Sequence, residues 1–305
     1  MFGALSPIVD LDHTSGSPTS LLRTFVGLHL RDLGGWIRVA ALLDLLATAG
    51  VSNSSTRSAV SRLKGKGLLL PDKRGAVAGY RLDPAAVSGL ERGDRRIFSY
   101  RSQRDDEPWC LVSYSMPEVD RSKRVQLRRT LMGLGFGAVT DGLWIAPGHL
   151  RAEVEEALVN LDVRDRATIF ITQTPLTAEP FAKVAAKWWE LDTLAARHTE
   201  FIDRYEHAVH AENVVHAENA APHTVGAEHA GSAPQSSLQP REAFALWLHC
   251  VDDWKAIPYV DPGLPPSALP SNWPGMRGVE LFAQLRRTLA EPARTHVREI
   301  NSAGS

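Results

Sequence analysis

Apolar residues recur at helical spacing between Ser20 and Leu33, at Leu22, Phe25, Val26 and Leu33 with His29 in the same series, and the Gly34-Gly35 pair ends the run. That pattern predicts a first helix. WIRV reads as a short strand, and the apolar stretch Ala41 to Ala49, with Asp44 and Thr48 on one side, as a second helix closed by Gly50. Asn53 and Ser54 are suitable N-caps for a third helix that ends near Lys64. Helical phase sorts its residues cleanly: Thr56, Ala59, Val60 and Leu63 share one face, and Ser54, Arg57, Ser58, Ser61, Arg62 and Gly65 share the other. LLL, a turn-like PDKRGAVAG and YRL then read as strand, loop and strand, with Lys73 and Arg74 near the tip. Three helices and a two-stranded hairpin make a winged helix-turn-helix.

A polar link, ERGDRR and then YRSQRDDEP, leads to a second pattern. WCLVSYSM is an apolar strand, and RSKRVQLRRTLMGLGF an amphipathic helix whose apolar residues are Val125, Leu127, Leu131, Met132 and Leu134. GAVTDGLWIAP supplies two short strands around an Asp-Gly turn, EVEEALVNL a helix and ATIFITQT a last strand. The order βαββαβ is that of a ferredoxin-like sandwich. The remainder reads as helical over Phe181 to Tyr205, Glu242 to Trp254 and Arg277 to Leu289. The predicted class is therefore α+β and multidomain: a disordered tail over 1–19, a winged helix over 20–90, a ferredoxin-like middle domain over 91–176 and a mainly helical domain over 177–305.

Inside the last of these, residues 207–240 form a low-complexity insertion with a near-duplicate VHAEN repeat. Its few large apolar side chains do not offset the entropy of ordering it, so it reads as a flexible linker. His207, His210, His216, His223 and His229 lie there, but no pair at metal-like spacing has a matching set elsewhere, and no metal site is assigned.

Composition adds limits. At 305 residues, 44% hydrophobic and 23% charged, the chain suits two or three globular domains. Its start lacks the basic and apolar regions of a signal peptide, and no apolar run is long enough to cross a bilayer, so a cytoplasmic protein without a membrane partner is expected. Cys110 and Cys250 stand in unrelated contexts, which excludes a zinc ribbon and argues against a disulfide framework. Nothing in the sequence calls for a cofactor.

Charge changes the picture in one place. The whole chain has a formal net charge of -1, yet Ser52 to Leu82 carries seven basic residues against the single acid Asp72. A helix entering the major groove needs donors for phosphates and base edges and no acids that repel the backbone. Arg57 and Arg62 have the geometry for bidentate contacts to guanine or phosphate, while Asn53, Ser54, Ser55, Ser58 and Ser61 suit phosphates and adaptable base contacts. Lys64 and Lys66 fit phosphates, and Lys73 and Arg74 fit the neighbouring backbone or minor groove as a wing tip does. Arg38 reads as an ordinary surface residue or an added phosphate contact. The competing reading of the basic face is a solvated surface that solubilises its domain.

Three segments in order resemble the PaaX family of bacterial transcriptional repressors, named for control of phenylacetic acid degradation. They are GGWIRVAALLDLLATAGVSNSSTRSAVSRLKGKGLLL with the GYRL of the wing; RRIF followed by SYSMPEVDRSKRVQLRRTLMGLGFGAVTDGLWIAPGHL; and IPYVDPGLPPSALPSNWPGMRGVELF. The resemblance implies a winged helix, a middle domain like the small CRISPR-associated ferredoxin-like nuclease, and a helical effector-binding domain. It further implies a homodimer on a palindromic double-stranded DNA operator, and repression of a catabolic operon relieved by a small-molecule effector, an aryl-acyl coenzyme A such as phenylacetyl-CoA. The His-rich insertion departs from the family pattern.

In the last domain Trp247, Trp254, Tyr259 and Trp273 offer flat apolar surface for an aromatic acyl group. His249, Lys255 and Arg277 suit phosphates or a carboxylate, and Asp261 opens a proline-rich, rigid DPGLPPSALPSNWPG segment that fits a pocket wall. Each aromatic taken singly is also accounted for by a helical core. In the middle domain Arg121, Lys123, Arg124, Arg128 and Arg129 gather beside Glu118 and Asp120, but a nuclease needs carboxylates that hold a metal against phosphate, and no catalytic residue is assigned. The alternatives to a repressor are a regulator of the same fold with a different effector or an activating role, a ferredoxin-like nucleic-acid-binding or nuclease protein, and a coenzyme-A-handling enzyme, for which no nucleophile elbow is present.

Overall fold

A computed structural model describes residues 14–173, 175–219 and 238–303, with 209–219 described by the backbone alone. The helices are α1 (Pro18–Phe25), α2 (Val39–Thr48), α3 (Asn53–Gly65), α4 (Val87–Phe98), α5 (Arg121–Gly133), α6 (Arg151–Asn160), α7 (Phe181–Trp188), α8 (Leu191–Asn219), α9 (Pro240–Trp254), α10 (Ala256–Val260) and α11 (Gly275–Ser302). The strands are β1 (Trp36–Arg38), β2 (Leu69–Arg74), β3 (Val77–Leu82), β4 (Trp109–Tyr114), β5 (Gly137–Thr140), β6 (Leu143–Pro147) and β7 (Ala167–Thr172). The chain is α+β and divides into two units. One comprises Arg92–His198 and Lys255–Pro274, and the other the described parts of Leu11–Glu91, Thr199–Trp254 and Gly275–Ser305.

The first unit holds an antiparallel sheet in the order β5-β6-β4-β7, which is the ferredoxin-like arrangement of a βαββαβ chain. Alternate residues of its strands point to opposite faces. Cys110, Val112, Trp144 and Ala146 pack on one side with Leu127 and Leu131 of α5 and Val154 and Leu158 of α6. Trp109 and Ile145 pack on the other with Ala185 of α7, Trp189, Leu191, Leu264 and Ala268. Burial on both faces is why WCLV reads as a continuous apolar run. The proline-rich segment is a cover for this sheet: Gln103 donates its N–H to Gly263 O at 2.8 Å, and a Cβ on Gly263, whose φ is +74°, would stand 2.0 Å from Arg101 O.

The second unit begins with α1, capped by Ser17, whose side chain accepts from Ser20 N at 3.3 Å. It continues as a π-helical turn, Val26–Leu30, before β1 and the α2–α3 pair. The sheet β1-β3-β2 is antiparallel throughout, with Arg74 opposite Val77. Helices α9 and α11 pack on each other, α9 packs on α1, and α11 on α2. Their aromatic core centres on Phe282, which stacks on Trp254 at 4.6 Å and on Trp247 at 5.7 Å between ring centroids.

Several sequence expectations are corrected. Pro18 and Thr19 belong to α1 rather than to a tail, proline being suited to the first helical turn; residues 1–13 of that tail lie outside the described residues. The cap of α3 is Ser52, one residue earlier than expected, and it accepts from Ser55 N at 3.2 Å. The wing loop is much shorter than PDKRGAVAG, since only Gly75 and Ala76 lie outside the β2–β3 ladder, and Pro71 is tolerated because β2 is an edge strand.

Of the polar link after the wing, YRSQRDDEP stays irregular, whereas the first part, ERGDRR, lies in the helix α4. Its Arg96 is buried and donates to Pro258 O at 2.7 Å, Leu134 O at 2.6 Å and Glu153 at 3.0 Å, so a charged residue takes a core position. The helix expected over Phe181 to Tyr205 is broken into α7 and α8. Trp189 is extended there, and its indole N–H donates to Gly135 O at 2.9 Å. Val125 and Met132 of α5 are exposed instead of buried, at 44% and 58%. α8 runs through His207 to Asn219, so this part of the supposed flexible insertion is helical; His223 and His229 lie outside the described residues. Arg38 is half-buried, and its guanidinium donates to Ile300 O at 2.6 Å, at the carbonyl end of α11.

Candidate nucleic-acid interface

α3 forms because Ser52 satisfies one of its first N–H groups and because Arg62 and Lys64 stand in its last turn, where cations meet the carbonyl end of the helix. Its inner face is buried at Thr56, Ala59, Val60 and Leu63, the last at 1% exposure. Its outer face exposes Asn53, Ser54, Arg57, Ser58, Ser61, Arg62 and Lys64, with Ser55 and Lys66 half-buried. No acid interrupts it.

The hydroxyls of its first turn are organised among themselves. Ser52 Oγ lies 3.1 Å from Ser54 Oγ and donates to Ser55 Oγ at 2.9 Å, and Ser58 Oγ donates back to Ser54 O at 3.1 Å. These bonds are solvent-exposed and cost little to rearrange against a phosphate. Arg57 and Lys64 make no hydrogen bond or ion pair among the described residues. Arg62 is partly engaged: Nη1 donates to Thr19 Oγ1 at 3.2 Å, which holds one edge of the guanidinium while the residue as a whole is exposed.

The wing presents Lys73 and Arg74, both exposed, just before its tip. Lys73 has no partner among the described residues, whereas Arg74 lies over the Trp36 ring at 4.7 Å from its centroid. This cation–π contact preorients the wing cation. Gly79 lies against the same ring and the β1 backbone. A Cβ there would come within 2.5 Å of both Trp36 Cζ2 and Ile37 O. Trp36, Thr19 and Gly79 thus support the face without belonging to the basic pattern, and the sequence signal for them was weak: a lone tryptophan in a short strand, and a glycine three residues from the end of β3.

The residues considered for an effector fall into different surroundings. Trp247 and Trp254 belong to the core around Phe282. His249 Nε2 lies 3.0 Å from Ala49 O, and Arg277 pairs with Glu206 at 2.7 Å. Asp261 is buried, 2.8 Å from His198 Nε2, and accepts from Gly263 N at 2.8 Å. Trp273 packs edge-on against His198 at 5.9 Å, and Lys255 and Tyr259 are half-buried. Tyr100, with Asp261 beside it, has its phenol pushed well above its usual range, first by burial and then by that carboxylate.

The basic cluster of the middle domain is largely neutralised by neighbouring acids. Arg124 and Arg121 pair with Glu118 at 2.9 and 3.7 Å, Lys123 with Asp162 at 3.0 Å and Arg128 with Asp141 at 3.2 Å. Among the described residues no three His, Cys, Asp or Glu side chains are grouped as metal ligands, and no helix is long and apolar enough to cross a membrane.

Comparison with known proteins bears on the whole chain. The transcriptional repressor PaaX of Escherichia coli (strain K12) is 26% identical over 285 residues, covering 93% of this chain and 84% of that protein. The uncharacterized protein Rv0674 from Mycobacterium tuberculosis has a similar fold, with a TM-score of 0.55 at 19% identity over 92% of this chain and 99% of that one. Family models match in succession: the PaaX-like protein over 17–86, the PaaX protein central Cas2-like domain over 102–184, and the PaaX-like protein C-terminal domain over 189–299. With the winged helix, the ferredoxin-like sheet and the C-terminal helices each matched in order, the chain belongs to the PaaX family.

Proposed function

We propose that this protein is a sequence-specific, DNA-binding transcriptional repressor of a catabolic operon. The observation that carries the reading is the acid-free outer face of α3, where Arg57, Ser58, Ser61, Arg62 and Lys64 are exposed together beside the basic wing. Arg57 and Arg62 read base edges, the serines and Lys64 and Lys66 hold phosphates, and Lys73 and Arg74 follow the adjacent groove. The protein acts as a homodimer on a palindrome, the arrangement in which two helix-turn-helix heads meet two symmetric half-sites. Binding of an aryl-acyl coenzyme A such as phenylacetyl-CoA releases the operator by favouring a state whose half-site spacing no longer fits. Lys255, Tyr259, Asp261 and Trp273, all of the first unit, are its proposed contacts.

Footprinting on DNA flanking the gene tests this directly, because it reports specificity and half-site spacing together. A protected palindrome is expected, and Arg57→Ala with Arg62→Ala abolishes protection while circular dichroism stays unchanged. Unchanged protection in the double variant places recognition elsewhere. Salt-dependent binding with no preferred site supports a nonspecific nucleic-acid binder instead. Equal operator affinity with and without each candidate acyl-CoA sinks the release mechanism.

A further inference from the structure

Asp252, on α9, is 0% exposed, and its carboxylate faces the start of α1. Oδ1 accepts from Ser20 Oγ at 2.8 Å and from Thr24 Oγ1 at 2.6 Å; Oδ2 accepts from Gly16 N at 2.7 Å and from Ser15 Oγ at 3.3 Å. A buried carboxylate is costly unless its lone pairs are met, and here donors come from one segment, Ser15 to Thr24, more than 220 residues away in the chain.

The other side of α1 faces recognition. Ser20 and Thr24 are one helical turn apart and point to Asp252, while Thr19, buried at 1%, accepts from Arg62 Nη1 at 3.2 Å. α1 also packs along α3. The next residue of α9, Asp253, accepts through Oδ2 from Arg204 at 2.6 Å and from Tyr205 OH at 2.7 Å on α8, while its Oδ1 also accepts from Ser15 Oγ just ahead of α1. Two consecutive carboxylates thus join a C-terminal helix to the scaffold of the winged helix on one hand and to α8 on the other.

We propose that Asp252 is a positioning residue for DNA recognition: through Ser20 and Thr24 it sets α1, and α1 through Thr19 sets Arg62 on α3. The winged helix is accordingly not an autonomous reading head, because the orientation of one of its reading arginines is fixed by a residue of the C-terminal region. This rests on the DNA-binding reading above.

The test measures operator affinity of the full chain well below its unfolding temperature. Asp252→Asn removes the charge and one acceptor, and Thr24→Val removes a donor with little change of shape; each weakens binding by about tenfold or more, the scale of one lost buried charge-assisted bond. Thr24→Ser returns the hydroxyl and with it the affinity. In an Arg62→Ala background Thr24→Val costs little further, since the side chain it positions is gone. A purely structural role predicts losses that add to that of Arg62→Ala and follow the thermal midpoint. Additive losses, or wild-type affinity in Thr24→Val, overturn the proposal; if Asp252→Asn does not fold, the Thr24 pair decides. Absence of any sequence preference in the unaltered protein overturns the DNA-binding reading instead.

Discussion

His29 makes the second unit acid-sensitive in a way that a single substitution exposes. The ring lies in the π-helical turn after α1, 3% exposed, between Phe25 at 5.5 Å and Phe244 at 5.8 Å, and neither ring nitrogen has a protein hydrogen-bond partner. Burial lowers its pKa from 6.5 to about 4; Asp32 opposes the shift, and Arg294, paired with Asp32 at 3.0 Å, adds to it. Between these two values the unfolded chain binds a proton that the folded one refuses. Stability is therefore intact above pH 6.5, falls as the pH drops toward about 4, and changes no further from this residue below that. At 1.36 kcal/mol per tenfold in proton affinity, the full effect is about 3 kcal/mol, of which about 2 kcal/mol is lost by pH 5. Urea unfolding at a series of pH values measures it, with His29→Leu as the reference that carries no proton but fills a similar volume. The difference in stability between the two proteins shifts in favour of the variant by about 2 kcal/mol from pH 7 to pH 5. Parallel curves for the two proteins would refute the reasoning, because the carboxylates that also titrate there are common to both.

Two further substitutions separate support from contact. Gly79→Ala forces a Cβ against Trp36 and the Ile37 carbonyl, so it costs about 2 kcal/mol by overpacking and loosens the wing, read as a lower thermal midpoint together with weaker operator binding; an unchanged midpoint would mean the wing yields freely. Trp254→Ala removes a ring that is 1% exposed and stacked on Phe282, and costs about 3–5 kcal/mol, with Trp254→Phe costing clearly less; a stable alanine variant that lost only effector response would put Trp254 in a pocket wall instead.

Where apolar periodicity is local, the sequence was informative. α3 obeys its helical phase residue by residue, because a helix with one buried face must repeat its apolar positions, and the four predicted inner residues are the four buried ones. The βαββαβ order was legible for the same reason, each strand and helix carrying its own period. Boundaries were less so. Nothing in ERGDRR announces a helix whose arginine is buried, since that arginine is held by carbonyls from Leu134 and Pro258, far along the chain. The break at Trp189 was equally hidden, as it is set by an indole reaching Gly135 O rather than by a proline or glycine at the break.

The sequence by itself determined which residues of α3 face inward, that the outer ones are basic and hydroxylated, and the family order of the segments. Only the tertiary structure decided that Arg74 lies over Trp36, that Arg62 is tied to Thr19, and that α1 is held by Asp252. The physical reason is the range of the interactions. Burial of one face repeats every turn and is written into neighbouring residues, whereas a hydrogen bond between Thr24 and Asp252 leaves no periodic trace in either segment and exists only once the chain has brought them within 2.6 Å.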